Sequence, residues 1–412
     1  MVETLTLNNG LRVVTEHISS VRSVTMGIWV KAGSRYEQQQ ENGISHFLEH
    51  MFFKGTNSQS AADIAESFDK IGGQVNALTS KEYTCFYAKV LDEHAQRALD
   101  ILADMFFHAT FDSDELEKER NVIFEEIKMV DDTPDDIVHD ILSEASYGDH
   151  PLGKPILGTE HTVSQFTKEQ LQSYKSRFYT AENVVISLAG NIHDALLRQI
   201  EKKFGSFANQ HHAQPVTAPT FQTGKKTKKK DTEQAHLCLG FPGLQTGDDN
   251  IYALILLNNV LGGSMSSRLF QDIRENKGLA YSVFSYHSAF QDNGMLTIYG
   301  GTGYHQLDEL YESIMHCVTD LQENGLTEKE LANGKEQLKG NLMLSLESTS
   351  SRMSRNGKNE LLLGRHRSLD ELIERVQAVD LNDIKTTANQ VFQGDFALSL
   401  ISKDGKLPGS VN

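Results

Sequence analysis

Cysteine is scarce in this 412-residue sequence, and Cys85, Cys238 and Cys317 are widely spaced and odd in number. They cannot build a disulfide framework or a Cys-type zinc site, so buried free thiols in a reducing, cytoplasmic compartment are expected. Long apolar runs are missing as well. No stretch approaches the ~20 residues of a membrane span, and Met1-Val2-Glu3-Thr4-Leu5 leads into a strand pattern without the basic and apolar regions of a secretory signal. Positive charge is in deficit: 39 Lys and Arg against 56 Asp and Glu leave a formal net charge of −17. That balance argues against nucleic acid as a partner, and the missing apolar runs argue against a membrane. What remains is ordinary for a globular chain, with 39% hydrophobic and 23% charged residues. The length exceeds what one core supports, so two domains are expected.

The pattern of elements repeats. Leu5 to Glu16 alternates around Asn8-Asn9-Gly10 as a hairpin, and Val24 to Val30 reads as a second strand. Helices are expected over Gly43 to Phe53 and Ala61 to Ile71, then strands at Gln74 to Ser80 and Tyr83 to Leu91. Long helices at Glu93 to Phe107 and Ser113 to Met129, a helix at Thr167 to Phe178, a strand at Asn183 to Ala189 and a helix ending near Phe204 complete the first half. Between Ala208 and Lys230 the composition shifts to Pro215, Pro219, His211-His212 and a lysine run, which reads as a linker, the lysines being a solvated stretch or a strand edge. The order then recurs: strand Ala235 to Phe241, helices Asn250 to Leu261 and Ser267 to Asn276, strands Ala280 to Ser288 and Gly294 to Thr302, long helices, and a closing strand Phe396 to Ser402. The expected fold is α+β, with two similar domains, each an antiparallel-rich mixed sheet with helices packed on one face. Their expected bounds are 1–210 and 231–412, joined by a linker at 211–230.

The chemistry is concentrated in His46-Phe47-Leu48-Glu49-His50. On a helix, Ile44, Phe47, Leu48, Met51 and Phe52 form one apolar stripe, while His46 and His50, four residues apart, stack on another side with Glu49 at their flank. Two imidazoles at this spacing reach one Zn²⁺, which then needs a third ligand and an open position. Acids crowd Asp112 to Asp132, and helical phase separates them. With Ile123 as the centre of that helix's apolar stripe, Glu119 falls about 40° and Glu126 about 60° off centre, whereas Glu125 lies about 160° away and faces solvent. Carboxylates directed inward call for a cation. Phase leaves Glu126 and Glu119 as the candidates; Glu126 is the expected ligand, with Glu119 orienting a ligand or serving as an alternate, unless Arg120 or Lys128 answers both acids. The corresponding helix of the second half, Asn250 to Leu261, carries no such motif.

These residues resemble the inverted zinc motif of the pitrilysin-type metallopeptidases, and the chain is most similar to a compact, bacterial-type member of the processing-peptidase-like branch. The resemblance extends to Leu7-Asn8-Asn9-Gly10-Leu11-Arg12-Val13, Val75-Asn76-Ala77-Leu78-Thr79-Ser80, Glu119-Arg120-Asn121-Val122-Ile123 and Gly262-Gly263-Ser264-Met265-Ser266-Ser267-Arg268-Leu269-Phe270. It implies one Zn²⁺ per chain held by His46, His50 and Glu126, with Glu49 activating the water and Glu119 auxiliary. It implies peptide substrates added as a strand at Asn76-Ala77, and Arg274 and Tyr281 holding the scissile carbonyl and substrate backbone. Four such domains enclose a chamber in this branch, so a homodimer, or a heterodimer with a related chain, is implied. The implied activity is that of a zinc endopeptidase for short or unfolded peptides. The alternative is a non-catalytic peptide-binding or scaffold subunit.

Overall fold

The computed structural model describes residues 2–208 and 216–411. The chain divides into two compact units, and each draws on both halves of the sequence. Unit 1 comprises Met1–Lys128, Pro155–Val216 and Leu344–His366, and unit 2 comprises Met129–Lys154, Thr217–Met343 and Arg367–Asn412.

Unit 1 is built on strands β1 (Val2–Thr6), β2 (Arg12–His17), β3 (Ser23–Val30), β4 (Gln74–Thr79), β5 (Thr84–Leu91) and β6 (Val184–Gly190), in the order β1-β2-β6-β3-β5-β4. Only β2 and β6 run parallel. Central β3 is apolar on both faces because both faces are covered. Val24, Met26, Ile28 and Val30 join the large core beneath the helices, including Phe47, Leu48, Met51 and Phe52 of the motif segment. Trp29 points the other way, into a smaller cluster with Met353 and Leu361.

Unit 2 repeats the arrangement with β7 (Lys225–Lys229), β8 (Gln234–Pro242), β9 (Ala280–Ala289), β10 (Gly294–Gly303) and β11 (Ala397–Ser402), ordered β7-β11-β8-β10-β9. Its parallel pair is β7 with β11, as β2 pairs with β6 in unit 1. Strand for strand, β7-β11-β8-β10-β9 corresponds to β2-β6-β3-β5-β4.

The expected contiguous bounds, 1–210 and 231–412, are corrected at two helices that sequence reading passed over. Thr349–Leu363, from the second half, covers the second face of the unit 1 sheet, and Pro134–Tyr147, from the first half, covers that of unit 2. Each closes an apolar face that the other half of the sequence leaves open. The close approach in unit 1 needs glycine: a Cβ on Gly357 would stand 2.3 Å from Trp29 Nε1, and one on Gly27 would stand 2.5 Å from Met353 Sδ. Both covers are pinned alike. Ser187 of β6 donates to the carbonyl of Met353 at 2.8 Å, and Ser399 of β11 donates to that of Val138 at 2.7 Å. Met353 and Val138 are each the fifth residue of their helix.

The expected linker at 211–230 is shorter than composition suggested. His211, His212 and Pro215 lie outside the described residues, and the lysine run forms β7, an edge strand of unit 2. Its lysines are matched by acids, Lys226 with Glu144 at 2.6 Å and Lys228 with Asp131. All three cysteines are free and buried. Among the described residues no helix is long and apolar enough to cross a membrane.

Candidate metal centre

The motif forms the eight-residue helix Ile44–Met51, which buries Ile44, Ser45, Phe47, Leu48 and Met51. Its first turn is fixed from outside. Gly43 precedes it at φ 98°, and the fully buried Glu37 carboxylate accepts from the amides of Gly43 at 2.8 Å and Ser45 at 2.9 Å. A carboxylate at this end satisfies orphan donors and meets the positive end of the helix dipole.

On the opposite face, His46 Nε2 and His50 Nε2 are 3.2 Å apart, and each lies 3.7 Å from Glu126 Oε2. Three donors held at ~2.0–2.1 Å by one tetrahedral zinc are separated by about 3.4 Å, so this triangle is close to a ligand set. Among the described residues, these three form the group of His, Cys, Asp and Glu side chains able to share a metal ion. Glu126 Oε2 is buried and has no hydrogen-bond partner, an orphan that a cation would satisfy. Zinc fits the donors present.

Neither of the cations weighed from sequence answers the acids. Arg120 turns to Glu117 and to the carbonyls of Val163 and Phe166, and Lys128 pairs with Glu125. Glu119 is buried and already shared: Oε1 is 2.8 Å from His50 Nδ1 and Oε2 is 2.6 Å from Lys54 Nζ. Glu119 therefore holds His50 at Nδ1 and is not itself in the triangle. Burial alone would raise its pKa, but the hydrogen bonds from His50 and Lys54 outweigh burial and hold it below the usual carboxylate range. Lys54 and Glu37 were missed from sequence. Lys54 did leave a trace, since it continues the four-residue series His46, His50.

Burial, with the neighbouring His50, pushes His46 down to about 3, which leaves a neutral imidazole. Burial also opposes charge on His50, but Glu119, Glu126 and Glu49 outweigh it and raise its pKa. The carboxylate field that favours a proton there also favours a metal cation. Glu49 lies outside the triangle. It accepts a hydrogen bond from Thr79, and burial raises its pKa against that bond.

Thr79, Asn76 and Ala77 all lie on β4, the edge strand that pairs with β5 on one side only. Asn76 Oδ1 accepts from the amide of Ala77 at 2.8 Å. An open cleft of about 460 Å³ reaches this edge at Val75 and Asn76 and is lined by both charged or polar groups (Glu49, His50, Lys54 and Glu119) and apolar ones (Phe53, Ile64 and Ala65). Arg274 and Tyr281 belong to unit 2 and come together there. The expected helix over Ser267 to Asn276 is π-helical from Phe270, and Arg274 Cζ sits 4.7 Å from the Phe270 ring centroid and 4.4 Å from that of Tyr281. Arg274 also donates to the Tyr281 carbonyl at 2.9 Å, and Tyr281 is 78% exposed.

Comparison with known proteins places this geometry in a family. Residues 12–160 match the profile described as Insulinase (Peptidase family M16), and residues 165–338 match that described as Peptidase M16 inactive domain. The chain is 62% identical over 408 residues to the "Uncharacterized zinc protease YmxG" of Bacillus subtilis (strain 168), covering 99% of this chain and all of that protein. It is 40% identical to the "Uncharacterized zinc protease SCO5738" of Streptomyces coelicolor, over 97% of this chain and 89% of that protein. Among solved structures, a protease from Helicobacter pylori superposes with a TM-score of 0.91 at 23% identity, covering 98% of this chain and 99% of that one. A peptidase M16 inactive domain from Pseudomonas fluorescens gives 0.89 at 21%, covering 97% and 98%. At these identities the two structures speak for the fold. With both profiles matched in order and relatives aligned from end to end, the chain belongs to peptidase family M16.

Proposed function

We propose that the chain is a zinc endopeptidase that hydrolyses short or unfolded peptides, with His46, His50 and Glu126 holding the metal. The observation that carries this reading is the triangle of two imidazole nitrogens and the orphaned Glu126 Oε2 beside an unligated Glu49. A three-residue ligand set leaves a position open, as catalytic rather than structural zinc requires. Bound zinc supplies a water of lowered pKa and polarisation of the scissile carbonyl.

The protein's own groups do the rest. Glu49, held at one oxygen by Thr79, takes the proton of the attacking water and delivers it to the leaving amine as the peptide C–N bond breaks. The open side of β4 at Asn76 and Ala77 receives the substrate backbone as an added strand, and the apolar residues lining the cleft, Phe53, Ile64 and Val75, receive a side chain. Arg274, in contact with the rings of Phe270 and Tyr281 and bonded to the Tyr281 backbone, is preorganised as a cationic donor for the substrate carbonyl, with Tyr281 beside it. The reading includes a homodimer, and sedimentation of the full chain tests that part: a monomer at all concentrations removes it. A non-catalytic peptide-binding or scaffold subunit would be expected to lack a ligand or the base, whereas His46, Glu49, His50 and Glu126 are all in place.

The test pairs zinc analysis with hydrolysis of an unstructured fluorogenic peptide. Glu49→Gln is expected to keep its zinc and lose activity by ~10²–10⁴-fold, the scale of a general base. A wild type with a full zinc complement and no hydrolysis of any unstructured peptide overturns the enzyme reading.

A further inference from the structure

Two inward-facing glutamates sit two turns apart on one helix, yet their surroundings differ. Glu126 presents an unsatisfied oxygen to the two imidazoles, whereas both oxygens of Glu119 are engaged. The difference is made by Lys54, three residues beyond the end of the motif helix, whose ammonium reaches Glu119 Oε2 at 2.6 Å from the cleft wall.

We propose that Lys54 is a positioning residue of the metal centre, holding Glu119 as a carboxylate directed at His50 Nδ1 and out of the ligand set. This rests on the zinc reading above. Glu119 is 4% exposed, and a carboxylate so buried is costly to ionise without a cation. Arg120, its neighbour in sequence, is committed to Glu117 and to two backbone carbonyls. Lys54 therefore supplies the charge. With one oxygen fixed by Lys54, the other accepts from Nδ1–H of His50 at 2.8 Å, and that tautomer leaves Nε2 with its lone pair toward His46 Nε2 and Glu126 Oε2. Because Lys54 follows the motif helix directly, one ion pair ties the segment bearing the histidines to the helix bearing the third ligand.

The experiment measures zinc affinity of the full chain by competition with a chromophoric chelator, independently of peptide hydrolysis. Lys54→Met is expected to weaken zinc by ~10–100-fold, the usual loss when a group behind a ligand is removed. Lys54→Gln should show the same loss, so a folding failure in one variant does not decide the matter. Lys54→Arg, which keeps the charge, should restore most of the affinity. In a Glu119→Gln background, Lys54→Met should cost less than about twofold, because Lys54 acts through Glu119. Wild-type affinity in both Lys54→Met and Lys54→Gln overturns the proposal, as does a loss of equal size with and without Glu119. A wild type that binds no zinc instead removes the metal reading on which the proposal rests.

Discussion

The helices Ile44–Met51 and Ile251–Gly262 follow corresponding strands, β3 and β8, in sheets of the same order, yet one carries chemistry and the other packing. The first buries one face and leaves His46 and His50 on the other. The second buries Ala253, Leu254, Leu256, Leu257, Val260 and Leu261 and holds no ionisable residue apart from Tyr252. The carboxylates of the two units diverge in the same way. Glu126 Oε2 has no hydrogen-bond partner and faces two imidazoles at 3.7 Å, while Glu330 of unit 2 takes both Arg268 Nε at 2.8 Å and Nη2 at 2.9 Å. Burial opposes ionisation of Glu330, but Arg268 and the cap at Thr327 outweigh it and lower its pKa to about 2. On one shared framework, then, a partly buried acid is left without a hydrogen bond beside two imidazoles, and its counterpart is closed into a clamp by an arginine.

The largest expected contrast comes from removing each acid. Glu126→Ala should abolish stoichiometric zinc binding and cost the metal-free protein less than about 1 kcal/mol, because Glu126 Oε2 makes no hydrogen bond and only faces the two imidazoles at 3.7 Å. Glu330→Ala should leave zinc content intact and cost about 2–3 kcal/mol, since a half-buried Arg268 loses a charged, two-pronged partner. Metal analysis beside urea unfolding of both metal-free variants reads the contrast. If Glu126→Ala destabilises the metal-free protein as much as Glu330→Ala, the two acids do the same job and the distinction fails.

Much of this was legible in sequence because periodicity reports burial. The two-faced pattern of the motif helix and the inward phase of Glu119 and Glu126 were readable, and the exposed position of Glu125 followed from the same count. Phase could not rank Glu119 against Glu126, because the ranking depends on Lys54, which reaches Glu119 from beyond the end of another helix. The cover helices escaped for a related reason. Thr349–Leu363 is rich in Ser, Arg and Asn, and makes its contacts through Met353, Gly357, Leu361 and hydroxyl pairs such as Thr25 with Thr349, a stripe too sparse in apolar residues to read from sequence. Pro134–Tyr147 follows the acidic helix after Thr133 alone, so the two read as one charged stretch. The exchange of these helices between units is a long-range fact, and local pattern carries no trace of it.

The smallest expected effect bears on whether the two units are alike in energy as well as in form. Ser187 and Ser399 are both wholly buried, stand in corresponding strands β6 and β11, and donate to the carbonyl of the fifth residue of their cover helices. Ser187→Ala and Ser399→Ala each remove the neutral hydrogen bond to the cover helix without opening a cavity, for a cost of ~1 kcal/mol apiece, the contact of Ser399 with the Cys238 thiol adding little. Because the sites share no partner, the double variant should show the sum to within about 0.5 kcal/mol. Urea unfolding of the three variants at one pH is the measurement. Matching costs extend the correspondence to the energetics of the covers. A cost several times larger for one serine would mean that its cover helix depends on that contact in a way the other does not, and the two units would then be alike in topology only.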